Sequence, residues 1–303
     1  MTIPMTILAE GLLFPEGPVV MPDGSIVLVE IARGTVTRAW NGKAEVIATL
    51  GGGPNGAAIG PDGALYVTNN GGFRWHDVGG LLFPGDRPDD WSGGRIERVD
   101  LATGRHDVLY TECDGVPLKG PNDLVFDADG GFWFTDLGKS YGRLHDRGAV
   151  FYAKPDGSLI REALFPIDMP NGVGLSPDGG HLFVAQTMAG RLMRFPVESP
   201  GVIGQRSPFM NEECICGLPG FQLFDSLAVE ADGTCTVATI AMPQGGLTSV
   251  RPDGTVEQVP LPDPLVTNVA FGGDGYRTAV VTLSATGRLA ALDWPRAGLA
   301  LNR

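Results

Sequence analysis

The chain has 303 residues, of which 45 are Gly and 24 are Pro; only 19% are charged while 43% are hydrophobic. A disordered chain lacks the apolar residues that offset its ordering entropy, and the glycines follow no collagen-like three-residue period, so the composition implies a globular fold with many tight turns. The formal charge of −13 excludes the basic patches that nucleic acid or an anionic membrane surface requires, and it suits a cation site.

No apolar run approaches the roughly 18 residues of a membrane span. Met1 to Glu10 shows no basic leader, so no secretory signal is expected. Cys113, Cys214, Cys216 and Cys235 form no disulfide framework, and a cytoplasmic setting is expected.

In chain order, an orphan strand at 6–9 comes first. Six similar segments follow: PEGPVVMPDG, PNGAAIGPDG, PNDLVFDADG, PNGVGLSPDG, FDSLAVEADG and VTNVAFGGDG, ending at Gly24, Gly63, Gly130, Gly179, Gly233 and Gly275. Each precedes a second strand-like run, and Asp-Gly between two such runs signals a β-hairpin. Asn41-Gly42, Thr103-Gly104, Asp156-Gly157 and Asp253-Gly254 mark outer hairpins in the same units. Six units of about 50 residues, each with four strands, predict a six-bladed all-β propeller. The expected blades lie at roughly 14–50, 51–110, 118–165, 168–210, 222–260 and 265–294 plus 5–10, in one domain over 1–303. The last unit lacks its fourth strand, so the N-terminal strand is expected to supply it.

Eight residues before each anchoring glycine stand Glu16, Asn55, Asn122, Asn171, Asp225 and Thr267. All offer oxygen, and each opens the innermost strand of its unit, so they should converge at one end of a central channel. Hard oxygen donors suit Ca²⁺ or Mg²⁺ and also admit Mn²⁺. Asn55-Gly56 and Asn171-Gly172 are also ordinary turn pairs, a reading that does not account for Glu16 or Asp225.

Phe14-Pro15-Glu16-Gly17-Pro18, Pro121-Asn122-Asp123, Pro170-Asn171-Gly172 and Phe224-Asp225-Ser226 resemble, in order and spacing, the signature elements of the SMP-30/gluconolactonase/luciferin-regenerating-enzyme-like family. The resemblance covers nearly the whole chain. It implies a six-bladed propeller with one divalent cation in the channel and, for many members, hydrolysis of a small sugar lactone. By position it makes Glu16, Asn171 and Asp225 metal ligands, and Asn122 a ligand or a substrate contact. Asn55 and Thr267 become pocket residues. Many sugar-lactone members carry Arg two residues before the Asn122 position. Here Gly120 stands there, with Lys119 before it, and the substrate stays open between a sugar lactone, an organophosphate and an aryl lactone. A non-catalytic propeller with a structural ion is the further alternative. Ca²⁺ is the first expectation for the cation, with Mg²⁺, Mn²⁺, Zn²⁺ and Fe²⁺ as alternatives.

A cation in such a ring polarises a lactone carbonyl, and Asp225 is the candidate general base. The competing assignment gives the nucleophile to a cation-activated water and leaves Asp225 as ligand only. The loop from Asn69 to Gly94, about 25 residues without predicted structure, is expected to be a partial lid. Its Trp75 and His76 are candidate substrate contacts, as are Lys119 and Tyr141, the latter in the wall Leu137-Gly138-Lys139-Ser140-Tyr141. Cys214-Ile215-Cys216 is expected in a long loop before Asp225. No Gly-x-Ser-x-Gly elbow and no P-loop are present. The oligomeric state is not readable.

Overall fold

The computed structural model describes residues 3–204 and 212–301. Among the described residues, besides three two-stranded hairpins, six antiparallel sheets of four or five strands follow one another along the chain. Their innermost strands are Pro15–Val20, Pro54–Ile59, Pro121–Phe126, Pro170–Leu175, Leu223–Val229 and Val266–Gly272. Each packs against the innermost strands of both neighbouring sheets, and the sixth against the first. The result is the expected six-bladed propeller. The anchoring glycines all have positive φ, from 62° at Gly275 to 86° at Gly233, as do the glycines of the outer hairpins. Tight hairpin turns demand that conformation and glycine adopts it freely.

Burial falls from the axis outwards. Second strands such as Ile26–Glu30 and Phe132–Asp136 are buried throughout, while the outer strand Lys43–Thr49 is mostly exposed. Apolar clusters fill the gaps between consecutive blades. Between the second and third, Tyr66, Phe126, Phe132, Phe134 and Phe151 pack together, with Phe134 and Phe151 stacked at 5.1 Å.

Met5–Ala9 closes the ring by pairing with Arg288–Asp293, Thr6 opposite Ala291. The fourth blade departs from expectation. The expected boundary at 210 lies outside the described residues, and the blade's outer strand is Glu213–Gly217, paired with Arg191–Ser199. Cys214-Ile215-Cys216 therefore lies in a strand rather than a loop. All four cysteines are unpaired. No helix among the described residues is long and apolar enough to cross a membrane.

Candidate functional site

Every innermost strand breaks register at the same level. The irregularities fall between Glu16 and Val19, Pro54 and Ala57, Pro121 and Leu124, Pro170 and Val173, Phe224 and Leu227, and Val266 and Asn268. A bulge bends its strand and re-aims side chains. The six residues singled out by spacing sit at these bulges, at one end of the channel, and all are buried.

The following position is as informative. In three blades it is Gly17, Gly56 and Gly172, where a Cβ would stand 2.7 Å from Ala57 N, 2.5 Å from Asn122 O and 2.6 Å from Leu227 N. The bulge presses on the next blade's backbone and leaves no room for a side chain. In the other three blades the position holds Asp123, Ser226 and Asn268, all buried. The eight-residue count misses these polar groups.

Hydroxyls from the second strands link the bulges across blades. Thr68 Oγ1 accepts from Gly56 N at 2.8 Å and donates to Asn122 O at 2.5 Å. Thr135 Oγ1 accepts from Asp123 N at 3.1 Å and donates to Asn171 O at 2.6 Å. Ser284, one residue past the sixth blade's second strand, likewise donates through Oγ to Pro15 O at 2.6 Å, beside Glu16. Each such link orders the backbone of a site residue by a group on the preceding blade.

Glu16 Oε2 accepts from Gly17 N at 2.8 Å and from Asn268 Nδ2 at 2.6 Å. Thr267 also hydrogen-bonds Glu16, and its hydroxyl meets those of Thr282 at 2.9 Å and Ser284 at 2.5 Å. Thr267 thus supports the carboxylate. Burial nevertheless pushes the Glu16 carboxyl up to about 7. Burial and then the Glu16 charge push Asp123 to about 7. The same two causes, in the same order, hold Asp225 well above the usual carboxylate range despite a hydrogen bond from Asn171. The Glu16 charge thus raises both Asp123 and Asp225, and Asp123 raises Asp225 further, an arrangement of buried carboxyl groups that is costly without a compensating cation.

Among the described residues no group of three or more His, Cys, Asp or Glu is placed to hold a metal ion by itself, so the fit of a cation depends on the amides as well. Asn122 Oδ1 is buried and has no hydrogen-bond partner. An orphaned amide oxygen beside mutually repelling carboxylates is the donor chemistry of a hard divalent cation. Glu16, Asn122, Asn171 and Asp225 fit that role. Asn55 is buried at the same level on the second blade.

Lys119 and Gly120 are held by their backbones. Asp136 accepts from Lys119 N at 2.7 Å, from Gly120 N at 2.7 Å and from Gly138 N at 2.9 Å. A Cβ at position 120 would lie 2.3 Å from Gly138 O, so no side chain can enter the site from that position. Lys119 is half-buried beside it.

The segment 69–94 is not structureless. Trp75–Val78 and Leu81–Pro84 form a hairpin around Gly79 and Gly80, at φ 64° and 83°. The hairpin reaches the sixth blade, where Leu82 N donates to Ala285 O at 3.0 Å. Trp75 packs on Phe14 at 5.0 Å, within an apolar cluster that includes Ile31, Leu265 and Ala285. Strand alternation sends His76 to the opposite face. There it lines a surface cleft of about 750 Å³ with Arg74, Arg87, Trp91 and Tyr141. Tyr141 Oη donates to Asp146 at 3.1 Å, and the Arg87 guanidinium lies 4.5 Å from its ring. Trp75 therefore packs into the apolar cluster around Phe14, two residues before Glu16, whereas His76 and Tyr141 line a cleft on the other face of the hairpin.

On the far side of the bulges the channel holds a cavity of about 110 Å³, with Asp123 and Asn268 among its walls and Leu299 and Leu301 contributed by the C-terminal segment.

The SMP-30/Gluconolactonase/LRE-like region model matches residues 14–285. A gluconolactonase of Zymomonas mobilis is 26% identical over 282 residues, covering 83% of this chain and 70% of that protein. Among solved structures, a gluconolactonase of Xanthomonas campestris superposes with a TM-score of 0.74 at 22% identity, over 96% of this chain and 89% of that one. Regucalcin of Agrobacterium tumefaciens, described as calcium-binding, gives a TM-score of 0.72 at 18% identity over 99% of both chains.

Proposed function

The chain belongs to the SMP-30/gluconolactonase/LRE-like family, and from that premise we propose that it is a divalent-cation-dependent lactonase opening the ester ring of a small sugar lactone. The observation that carries this reading is the meeting of buried Glu16 and Asp225 with the unpartnered Asn122 Oδ1 at one end of the channel. The gluconolactonase relative and the calcium-binding regucalcin support it. Glu16, Asn122, Asn171 and Asp225 would hold the cation. Bound there, a divalent cation supplies polarisation of the lactone carbonyl and stabilisation of the charge that develops on its oxygen.

The chain's own groups supply the rest. Asp225 takes a proton from the attacking water as the water oxygen bonds to the carbonyl carbon. It returns that proton to the ring oxygen as the ester bond breaks, leaving a hydroxy acid. A carboxyl held above its usual range is a stronger base once ionised. Asn171, hydrogen-bonded to Asp225, and Asn268, bonded to Glu16, fix the two carboxylates.

The test is acid release from aldono-1,5-lactones, with and without EDTA. Turnover that is lost in EDTA and restored by Ca²⁺ is expected. Absence of cation-dependent turnover on every aldono-lactone refutes the reading.

A further inference from the structure

Three buried polar atoms at the ring end have no hydrogen-bond partner in the protein: Asn70 Nδ2, Asn122 Oδ1 and Thr187 Oγ1. They lie on the second, third and fourth blades. Asn70 and Thr187 hold equivalent places. Pro54 pairs with Asn69 and Pro170 with Gln186, so each of the two stands one residue past the second strand of its blade, level with the entry to the bulge. On the first, fifth and sixth blades, which also carry Glu16 and Asp225, the residues packed under the hairpin are apolar: Phe14, Ile31, Ile240, Leu265 and Ala285. The fully buried, unpartnered side-chain atoms of the ring end thus lie on the second to fourth blades.

Asn70 is the most constrained of the three. It is 1% exposed. Its backbone N donates to Gly53 O at 2.9 Å, and its backbone O accepts from Trp91 Nε1 at 2.9 Å. Its Oδ1 accepts from Lys139 Nζ at 2.9 Å and from Gly72 N at 2.9 Å. The Gly72 N–H can only donate, whatever the charge on Lys139. The amide oxygen must therefore be the atom that faces them, and the usual ambiguity of amide orientation does not arise. The NH₂ group is turned away from both, buried and unpaired, which is destabilising unless a ligand completes it.

Lys139 is nearly as enclosed as the amide it holds. It is 2% exposed, its Nζ donates also to Gly72 O at 2.7 Å, and it lies 3.5 Å from the centroid of the Phe73 ring. No carboxylate lies within ion-pair distance of it among the described residues; burial holds its ammonium well below the usual lysine range, opposed by the Asp136 charge, and its hydrogen bonds go to one amide and to the root of the hairpin.

We propose that Asn70 is a substrate-binding residue whose Nδ2 donates to a ring hydroxyl of the lactone, with Lys139 as the positioning residue that holds the amide in that sense. The inference rests on the lactonase reading and makes that substrate a polyhydroxylated one, oriented with its hydroxyls toward the second to fourth blades.

The experiment compares kcat/KM for glucono-1,5-lactone and for unsubstituted δ-valerolactone in the wild type, Asn70→Ala, Asn70→Asp and Lys139→Met. The ratio of the two values within one protein does not depend on the fraction that is folded. Asn70→Asp keeps an acceptor for Lys139 and Gly72 while removing the donor, so one variant preserves the local packing. A fall in the ratio of about tenfold or more is expected in all three variants, carried by KM for the hydroxylated lactone. A ratio unchanged within about twofold in both Asn70 variants overturns the proposal. An unchanged ratio in Lys139→Met alone overturns the positioning role. If the wild type hydrolyses only glucono-1,5-lactone, its KM is the readout, with the same thresholds. A wild type that hydrolyses neither lactone refutes the lactonase reading and this inference with it, whereas normal wild-type turnover with unselective variants refutes the inference alone.

Discussion

Raising the pH of the cation-free protein from 5 to 8 is expected to destabilise it, and Ca²⁺ is expected to reverse the loss. The Glu16 carboxyl moves from an ordinary 4.5 to about 7 in the fold, mainly through burial. A folded value above the unfolded one means that its contribution is fully present below about pH 4.5. The contribution then falls as the unfolded chain sheds a proton that the folded chain keeps, and it is gone above about pH 7. A shift of roughly 2.5 units corresponds to about 3 kcal/mol, most of it between pH 5 and 8. Asp123 acts in the same direction but shares its interaction with Glu16, so the two do not simply add. Carboxylates with lowered values, such as Asp23 and Asp100, act at lower pH and leave this window undisturbed. For a chain of this length about 3 kcal/mol moves the melting midpoint by roughly 5 °C. A divalent cation binds the ionised carboxylates and competes with protons, so its stabilisation, about 2.7 kcal/mol at a hundredfold excess over Kd, is expected to be larger at pH 8 than at pH 5. Thermal melts in EDTA and in Ca²⁺ at both pH values give all four numbers. An EDTA midpoint as high at pH 8 as at pH 5, or an equal Ca²⁺ shift at both, refutes the argument that the ring carboxyls are buried together awaiting a cation.

Asp225→Asn is expected to lower kcat on aldono-lactones by about 10²–10⁴-fold; turnover that survives with the cation still bound removes Asp225 as the base. Asn268→Ala, which deletes the donor to Glu16, is expected to weaken cation binding by about 10–100-fold, measured by calorimetric titration, and an unchanged Kd contradicts the supporting role. Thr135→Val leaves Asp123 N and Asn171 O without their shared hydroxyl; a loss of about 2 kcal/mol in denaturant unfolding is expected, and unchanged stability contradicts the inter-blade link.

The propeller was legible because its turns are chemical rather than statistical. Gly24 through Gly275 recur where hairpins need positive φ, and counting back from them reaches the bulge of every blade. The bulge is also why the count stopped one residue short. In a regular strand the neighbours of Asn122 and Thr267 would face away from the channel, but the local break lets Asp123 and Asn268 turn inwards too. The visible signal was the run Gly17, Gly56, Asp123, Gly172, Ser226 and Asn268 at the next position, small or polar in every unit. The hairpin inside 69–94 was also readable, since Gly79-Gly80 separates two runs of four residues. Its length drew attention to the loop as a whole and hid the turn. The outer strand at Cys214-Ile215-Cys216 was concealed by the long separation from Arg191–Ser199. Lys139 gave no warning, because its partners, Asn70 and Gly72, are about 70 residues away in the chain and no spacing rule connects them.

Long-wavelength anomalous diffraction from crystals grown with Ca²⁺ tests the cation ring most directly. One calcium peak bounded by Glu16, Asn122, Asn171 and Asp225, with Ca–O distances of about 2.3–2.6 Å, is the predicted result. A ring filled by water alone in calcium-containing crystals, or calcium bound elsewhere in the channel while these four side chains bond only to one another, would contradict the assignment.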